Sequence, residues 1–352
     1  MKSYFFILTY FAGGGTEKVF ENVSKVINEN IRNAKIYLFV INGFNAEQYP
    51  VEEFVNVIKS KVELKKIAKS EKNKLVVNFS GDWKSSFVSR QILKDYISWV
   101  HQNPMTMKTA RTAFINFYLL KKSTKIVCVC KEQKEILENE FGFKNQIEVI
   151  YNSVDFEKVK KLSLVPLENI DFNYILMVAR LDFNSKDFFT VIKAYSLLPS
   201  ELQKKYKLVF LGSGPDEQKI INYVENSVPA ILKTNIILAG FDKNPYRWIK
   251  NASLNILSSK TEGFSVSIIE GMCLDCPEIL TNYRTGSKEV SENGKNTVLV
   301  PIGDYCLMRN AIERILTDEN FKNELVKNAS TFVMKFYQSE VEKVIFDFFK
   351  QF

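Results

Sequence analysis

The sequence predicts two doubly wound α/β domains in tandem. Three observations carry that expectation. Short apolar runs alternate with helical patterns along nearly the whole chain. Most of those runs are continuously apolar rather than alternating, as strands buried on both faces of a parallel sheet are. The length, 352 residues, is too great for one ordinary domain and about right for two.

The elements follow in order. The first strand is "YFFILTY" (4–10), which runs straight into Gly13-Gly14-Gly15. Its apolar run is short and carries one preceding Lys, so it reads as a buried strand and turn rather than a signal peptide. The next strands are "KIYLFVI" (35–41), "LVVNF" (75–79), "YISWV" (96–100), "KIVCVC" (125–130) and "IEVIY" (147–151). The rhythm breaks once, at 153–172, which reads as a linker. It resumes with "NYILMVA" (173–179), "YKLVFLG" (206–212), "NIILAG" (235–240), "LNILS" (254–258), "EILT" (278–281) and "TVLV" (297–300). Three helical patterns close the chain, at 304–317, 319–335 and 338–350. The expected domains are 1–165 and 166–335, with 336–352 a closing helix that packs back on the first domain.

Composition bounds the class. Apolar residues make up 46% and charged residues 25%, an ordinary soluble balance. No apolar run reaches the roughly 18–20 residues of a membrane-spanning helix. Five cysteines, an odd number in a long chain, are no disulfide framework, so a cytoplasmic protein is expected. Cys128/Cys130 and Cys273/Cys276 have C-x-C and C-x-x-C spacing, but zinc needs both pairs to converge in tetrahedral geometry. The chain has no D-x-D pair, no P-loop and no G-x-S-x-G elbow. No metal and no cofactor is expected.

The net charge of +8 is uneven: residues 1–161 hold 26 Lys and Arg against 17 Asp and Glu, and the rest nets −1. The surplus is densest in "KSKVELKKIAKSEKNK" (59–74). There Lys59, Lys61, Lys65, Lys66 and Lys69 form a candidate face for an acceptor or an anionic membrane; the plain alternative is a solvated helix face. A nucleic-acid partner would need a basic, aromatic-interleaved footprint. The second half offers none, so no nucleic acid is expected.

Ligands of open parallel sheets lie beyond the carboxyl ends of the strands, so the residues after each strand are the candidates. After the first strand, Gly14 and Gly15 allow close backbone approach, and the following helix turns its free N–H groups toward an anion. After "NYILMVA", Arg180 and Lys186 stand near a helix start, where two cations oppose the dipole unless an anion sits between them. Pairing with Asp182 and Asp187 is the alternative. "SGPDEQ" is another glycine-rich turn after a strand. After "LNILS" comes "SSKTEGFSVSIIEGM" (258–272). Gly263 leaves the amides of Phe264, Ser265 and Val266 at a helix start, a second anion seat. Glu262 and Glu270 flank that corner, and a carboxylate there is a good acceptor for ribose or sugar hydroxyls. The single histidine, His101, follows a strand in "SWVHQNP".

With Glu262 and Glu270 separated by seven residues, "EGFSVSIIE" resembles the signature of glycosyltransferase family 4, retaining and metal-independent sugar transferases. Their GT-B fold has two facing Rossmann-like domains with a cleft between them. The resemblance covers nearly the whole chain. "GGGTEKV" is similar to the family's first loop, "VCVCKEQKEIL" with "VIYNSVDFEKV" to its end-of-first-domain signature, and "VARLDFNSKDF" to its Gly-Arg-Leu…Lys-Gly loop. "FLGSGPDEQ" and "AGFDKNPYRWIKNASLNILSSKTEGF" agree in order and spacing. The resemblance implies that Arg180 and Lys186 hold the donor diphosphate and neutralise it as it leaves. It implies that Glu270 binds the ribose, that Glu262 faces the transferred sugar, and that His101 hydrogen-bonds that sugar. Backbone amides at Gly14, Gly15 and Phe264–Val266 would complete the cradle. Cys130 stands for the family's usual serine, Ser153 for a Gly, and Ala179 and Asp187 for the two glycines of the Gly-Arg-Leu…Lys-Gly loop. Two further features depart from the family. Asp275 stands where the family turns on Gly, and "TNYRTGSKEV" (281–290) replaces a Gly-Gly loop, with Tyr283 and Arg284 unusual.

The activity so implied is retaining transfer of a hexose or N-acetylhexosamine from a nucleotide-sugar, by default a UDP-sugar and next a GDP-sugar. The acceptor would be a glycan or lipid-linked glycan in capsule, lipopolysaccharide or related synthesis, and the Lys, Asn and Ile-rich composition fits a bacterial chain. The enzyme would sit in the cytoplasm, peripheral on the inner face of the plasma membrane. The alternatives are a nucleotide-sugar 2-epimerase of related fold and, further off, a basic nucleic-acid-binding protein.

Overall fold

The computed structural model describes residues 2–11, 15–44, 50–109, 113–144, 146–168 and 170–352. The chain divides into two compact units, Met1–Ser153 with Gln338–Phe352, and Val154–Tyr337.

The first unit is built on a 7-stranded parallel sheet: β1 (Lys2–Leu8), β2 (Ala34–Val40), β3 (Val55–Ile58), β4 (Lys74–Asn78), β5 (Ile97–Val100), β6 (Lys125–Cys128) and β7 (Gln146–Val149). Their order is β3-β2-β1-β4-β5-β6-β7. Strand β1 is central, with Phe6 opposite Leu38 on one side and Val77 on the other. Its side chains alternate between two helical layers. Phe5 and Ile7 pack with Leu64, Ala68 and Val88 of the helices Lys61–Ser70 and Trp83–Ile92. Tyr4 and Phe6 face Phe20 of the helix Gly15–Asn30 and Phe349 of the helix Gln338–Lys350, with the Phe6 ring 5.3 and 6.4 Å from those rings. Trp99 meets Phe348 and Phe349 as well. This aromatic layer is why the last helix of the chain belongs to the first unit.

The second unit has a 6-stranded parallel sheet: β8 (Asn173–Val178), β9 (Tyr206–Leu211), β10 (Ile236–Gly240), β11 (Leu254–Leu257), β12 (Glu278–Thr281) and β13 (Val298–Val300), in the order β10-β9-β8-β11-β12-β13. Its core joins Ile175 and Met177 of β8 to Phe188, Val191, Ile192 and Tyr195 of the helix Phe188–Ser196. Both sheets reverse their winding beside the first strand, between β1 and β4 and between β8 and β11. Those are the switch points beyond which such sheets bind ligands.

Two expectations are corrected. Strand β3 is not among the expected strands; it is an edge strand of four residues, buried at its ends, with Asn56 exposed and Val57 half-buried, and so lacks a continuous apolar run. The expected linker 153–172 contains the helix Phe156–Ser163, capped by Asp155, whose carboxylate accepts from the Lys158 N–H at 2.9 Å. That helix buries Phe156 and Val159 and packs on the helices Tyr246–Asn251 and Val266–Cys273. The division therefore falls at Ser153/Val154 rather than at 165. Val154 and Tyr337, the two ends of the second unit, pair in a β-bridge. Among the described residues no helix is long and apolar enough to cross a membrane.

A buried polar hub holds the first switch point. Asn78, at the end of β4, donates to Ser86 Oγ (2.6 Å) and Ser98 Oγ (3.4 Å). Its Oδ1 accepts from the Gly81 N–H (3.0 Å) and the Ser85 hydroxyl (2.5 Å). Gly81 has φ +67° and its Cα side lies against the Trp99 carbonyl, so no other residue fits without movement. Asn78→Ala strands these buried groups. It is expected to destabilise the protein by about 2–3 kcal/mol in urea unfolding; an unchanged midpoint would show that other partners take them up.

Candidate active site

Each unit presents residues at its own switch point. In the second unit, β8 leads into the loop that bears Arg180 and Lys186. Two glycines beside it permit that path. A Cβ on Gly212, whose φ is +145°, would overlap the Ala179 carbonyl, and one on Gly214 would overlap Leu181. The turn also fastens the loop by hydrogen bonds. The Leu181 N–H donates to Ser213 O (3.1 Å), the Asp216 N–H to Leu181 O (3.0 Å), and the Phe183 N–H to the Asp216 carboxylate (2.7 Å). Lys219 and then that Phe183 N–H lower the Asp216 pKa. "SGPDEQ" is therefore the buttress of the Arg180 loop.

Arg180 is exposed, and among the described residues its guanidinium has no hydrogen bond or ion pair. Lys186 lies differently. Its Nζ pairs with Glu262 and donates to Ser259 Oγ at 3.0 Å, while the Ser259 hydroxyl donates to the same Glu262 oxygen at 2.7 Å. Neither carboxylate offered as the alternative partner takes either cation. Asp182 Oδ1 accepts from the Asn184 N–H (2.9 Å), and Asp187 caps the helix Phe188–Ser196 through the N–H and hydroxyl of Thr190. Lys186 also forms a backbone bridge with Ser259. The loop after β8 is thus stitched to the loop after β11, and a cation and a carboxylate distant in sequence meet at the switch point.

The second corner is equally specified. The Thr281 hydroxyl, at the end of β12, accepts from the Ser259 N–H and donates to the Ser259 carbonyl, both at 2.7 Å. Thr285 donates its hydroxyl to the Glu262 carbonyl and holds φ +78°, a region that β-branched residues avoid. Gly286 follows at φ +97°. The two left-handed residues explain how "TNYRTGSKEV" makes the turn of a Gly-Gly loop, at a strain cost of about 1–3 kcal/mol for Thr285. Asp275 likewise takes φ +57° after the helix Val266–Cys273, and the Ser330 hydroxyl donates to its carboxylate at 3.0 Å. Asp is among the few non-glycine residues that tolerate this position.

Gly263 and Phe264 lie in the loop before that helix, Ser265 is its N-cap, with no side-chain capping bond, and Val266 opens it. Glu270, buried on the helix, accepts from the Tyr246 hydroxyl at 3.0 Å. The sequence reading missed Tyr246, and it missed Glu278 beneath the helix. Glu278 is 1% exposed, accepts from Asn255 Nδ2 at 2.9 Å, and leaves Oε1 without a hydrogen bond among the described residues. Burial pushes its pKa well above the usual carboxylate range. A lone acid at the head of the apolar run "EILT" was the available signal.

In the first unit, Gly15 opens the helix Gly15–Asn30 and faces open space; Gly14 lies outside the described residues. His101 follows β5. Its ring stacks on Trp99 at an interplanar angle of 2° and packs 4.8 Å from Phe79, and its Nε2 is buried without a partner among the described residues. Desolvation lowers its pKa to about 3, so the imidazole is neutral and a weak base. Lys59, Lys61, Lys65, Lys66 and Lys69 are all exposed, on and just before a helix whose Leu64 and Ala68 face the core.

Residues 160–332 match the sequence model of the family Glycosyl transferases group 1. The match lies within the second unit, and both units have the Rossmann-like form of the GT-B fold. It is 27% identical over 232 residues to a Campylobacter jejuni N-acetylgalactosamine-N,N'-diacetylbacillosaminyl-diphospho-undecaprenol 4-alpha-N-acetylgalactosaminyltransferase; the match covers 64% of this chain and 61% of that one, so the chain spans less than two thirds of that relative. It is 22% identical over 345 residues to the capsular polysaccharide biosynthesis glycosyltransferase CapM of Staphylococcus aureus, covering 88% of each. The Anabaena HepE structure in complex with UDP-glucose superposes with a TM-score of 0.81 at 16% identity, over 99% of this chain and 100% of that one.

Two desolvated groups give opposite pH slopes. His101 is protonated in the unfolded chain near 6.5 but in the fold only near about 3. Its contribution to stability is whole above 6.5 and is lost as pH falls toward 3. Glu278 has a folded pKa well above 4.5. Its contribution is whole below 4.5 and is lost as pH rises through the folded value. Tm measured against pH should therefore flatten on the acid side in His101→Gln and on the upper side in Glu278→Gln. An unaltered slope in either variant rejects that assignment.

Proposed function

We propose that the protein is a retaining, metal-independent glycosyltransferase. It moves a hexose or N-acetylhexosamine from a UDP-sugar to a glycan or lipid-linked acceptor in bacterial surface-glycan synthesis. The observation that carries this reading is the second switch point. There an exposed Arg180, the Lys186–Glu262–Ser259 cluster and the helix bearing Glu270 stand at adjacent strand ends. Support also comes from the family match, from CapM as a capsule relative, and from the undecaprenol-linked substrate in the C. jejuni relative's name.

In this reading Arg180 forks across the diphosphate oxygens and Lys186 adds a point charge. The amides of Phe264–Val266, at the positive end of their helix, bind the same anion. Glu270 accepts the ribose hydroxyls. Glu262, held by Lys186 and Ser259, accepts a hydroxyl of the transferred sugar. As the glycosidic C–O bond breaks, negative charge grows on the leaving diphosphate, where fixed cations and amides are most effective. The acceptor oxygen attacks the same face, which retains configuration, and the departing phosphate takes its proton. His101, neutral and weakly basic, hydrogen-bonds the sugar rather than taking that proton.

The same reading places the first unit on an anionic membrane from the cytoplasmic side. The lysines of the helix Lys61–Ser70 point outward. The helices of the same layer expose Phe87 and Phe114, amphipathic partners for a lipid interface.

A thermal-shift screen of UDP, GDP, ADP and CMP in the presence of a chelator tests the donor. UDP at a hundred times its Kd should add about 2.7 kcal/mol of stability, and no shift with any nucleotide rejects the donor site. Lys186→Ala and Glu270→Ala should each lower turnover about tenfold or more, as loss of a charge-assisted contact does. Full activity in both would mean the cradle lies elsewhere. Replacing Lys61, Lys65, Lys66 and Lys69 by Gln should reduce binding to phosphatidylglycerol vesicles in a sedimentation assay. Equal sedimentation would leave that face merely solvated.

A further inference from the structure

Glu278 is a buried acid that the proposed chemistry does not use. It opens β12, directly opposite Asn255 of β11, and its Oε2 accepts from Asn255 Nδ2 at 2.9 Å. Its Oε1 rises to the helix Val266–Cys273 and reaches it at Gly271. A Cβ on Gly271 would overlap that oxygen, so only a residue without a side chain lets the helix rest on the Glu278 carboxyl as it is placed. Gly271 is the neighbour of Glu270 in this helix, and from α-helical geometry the two move together. Glu270 is held from one direction by Tyr246 and from beneath by this seat. Helix-interior glycine costs about 1 kcal/mol relative to alanine, and a buried carboxyl costs more unless it is hydrogen-bonded. Both costs are borne at one contact.

We infer that Glu278 is a positioning residue: braced on Asn255 and seated against Gly271, it sets the depth of the helix and so the place of Glu270. The inference rests on the reading of Glu270 as the ribose acceptor. The charge arrangement agrees with it. The Glu270 carboxylate adds to the burial that keeps the proton on Glu278, so the strut beneath the helix does not bring a second negative charge to it.

The test is UDP affinity by titration calorimetry on the full chain, well below the Tm of each variant. Gly271→Ala and Glu278→Ala should each weaken UDP binding by about tenfold, the scale of a displaced contact group. The double variant Gly271→Ala/Glu278→Val, in which the new methyl takes the vacated space, should recover most of the loss. Glu278→Gln keeps the shape and the Asn255 bond and should bind better than Glu278→Ala. If Gly271→Ala fails to fold, the Glu278 pair still decides the matter. Glu270→Ala separates the two readings. Weakened binding there, with Gly271→Ala and Glu278→Ala lowered only in Tm, rejects the positioning role and leaves the ribose reading standing. Unchanged binding in Glu270→Ala rejects both.

Discussion

At three places in the second unit there is no room for a Cβ: backbone fills the space at Gly212 and Gly214, and the Glu278 carboxyl fills it at Gly271. The first two let the turn after β9 lie against the loop after β8, and so fix the path on which Arg180 and Lys186 stand. The third lets the helix Val266–Cys273 settle onto Glu278 and carries Glu270 with it. The remaining contacts of the site follow from these approaches. Lys186 can reach Glu262 because its loop is pressed toward β11, and Ser259 can join them because Thr281 grips its backbone from both sides. Atoms in packed interiors have no slack to absorb a methyl group, so the positions of the charged groups inherit the precision of the glycines.

The charges themselves are arranged economically. Arg180 stands apart in solvent, while Lys186 is matched by Glu262. A lysine so paired keeps its position without a ligand, and the carboxylate that holds it also has lone pairs to offer a hydroxyl. The first unit uses a different device at its own switch point. It has neutral groups there, with Asn78 satisfying four neighbours and His101 stacked on Trp99 and kept uncharged by desolvation.

The strands were legible because parallel strands buried on both faces leave continuous apolar runs. Where that condition failed, the reading failed: β3 is a half-exposed edge, and the helix Phe156–Ser163 is a short amphipathic element inside a polar stretch. Loops were legible as chemistry wherever glycine and charge fell directly after a strand. Asp275 and the loop 281–290 stand out in the sequence as departures, with Tyr283 and Arg284 the unusual residues of that loop; that Asp275 and Thr285 are the ones at positive φ is visible only in the structure.

The sequence by itself determined the two parallel α/β units, the basic bias of the first, and the identity of Arg180, Lys186, Glu262 and Glu270 as residues after strand ends. These are local properties: strand burial shows as apolar runs, and the βα loop is contiguous with its strand. Tertiary structure alone decided which charges meet. Lys186 and Glu262 are separated by 76 positions, Asn78 and Ser98 by 20, and Asn255 and Glu278 by 23. Such pairings depend on strand order and register, which no local pattern encodes. Whether a glycine is a turn or a seat for another side chain depends on what the fold brings to within contact of its Cα.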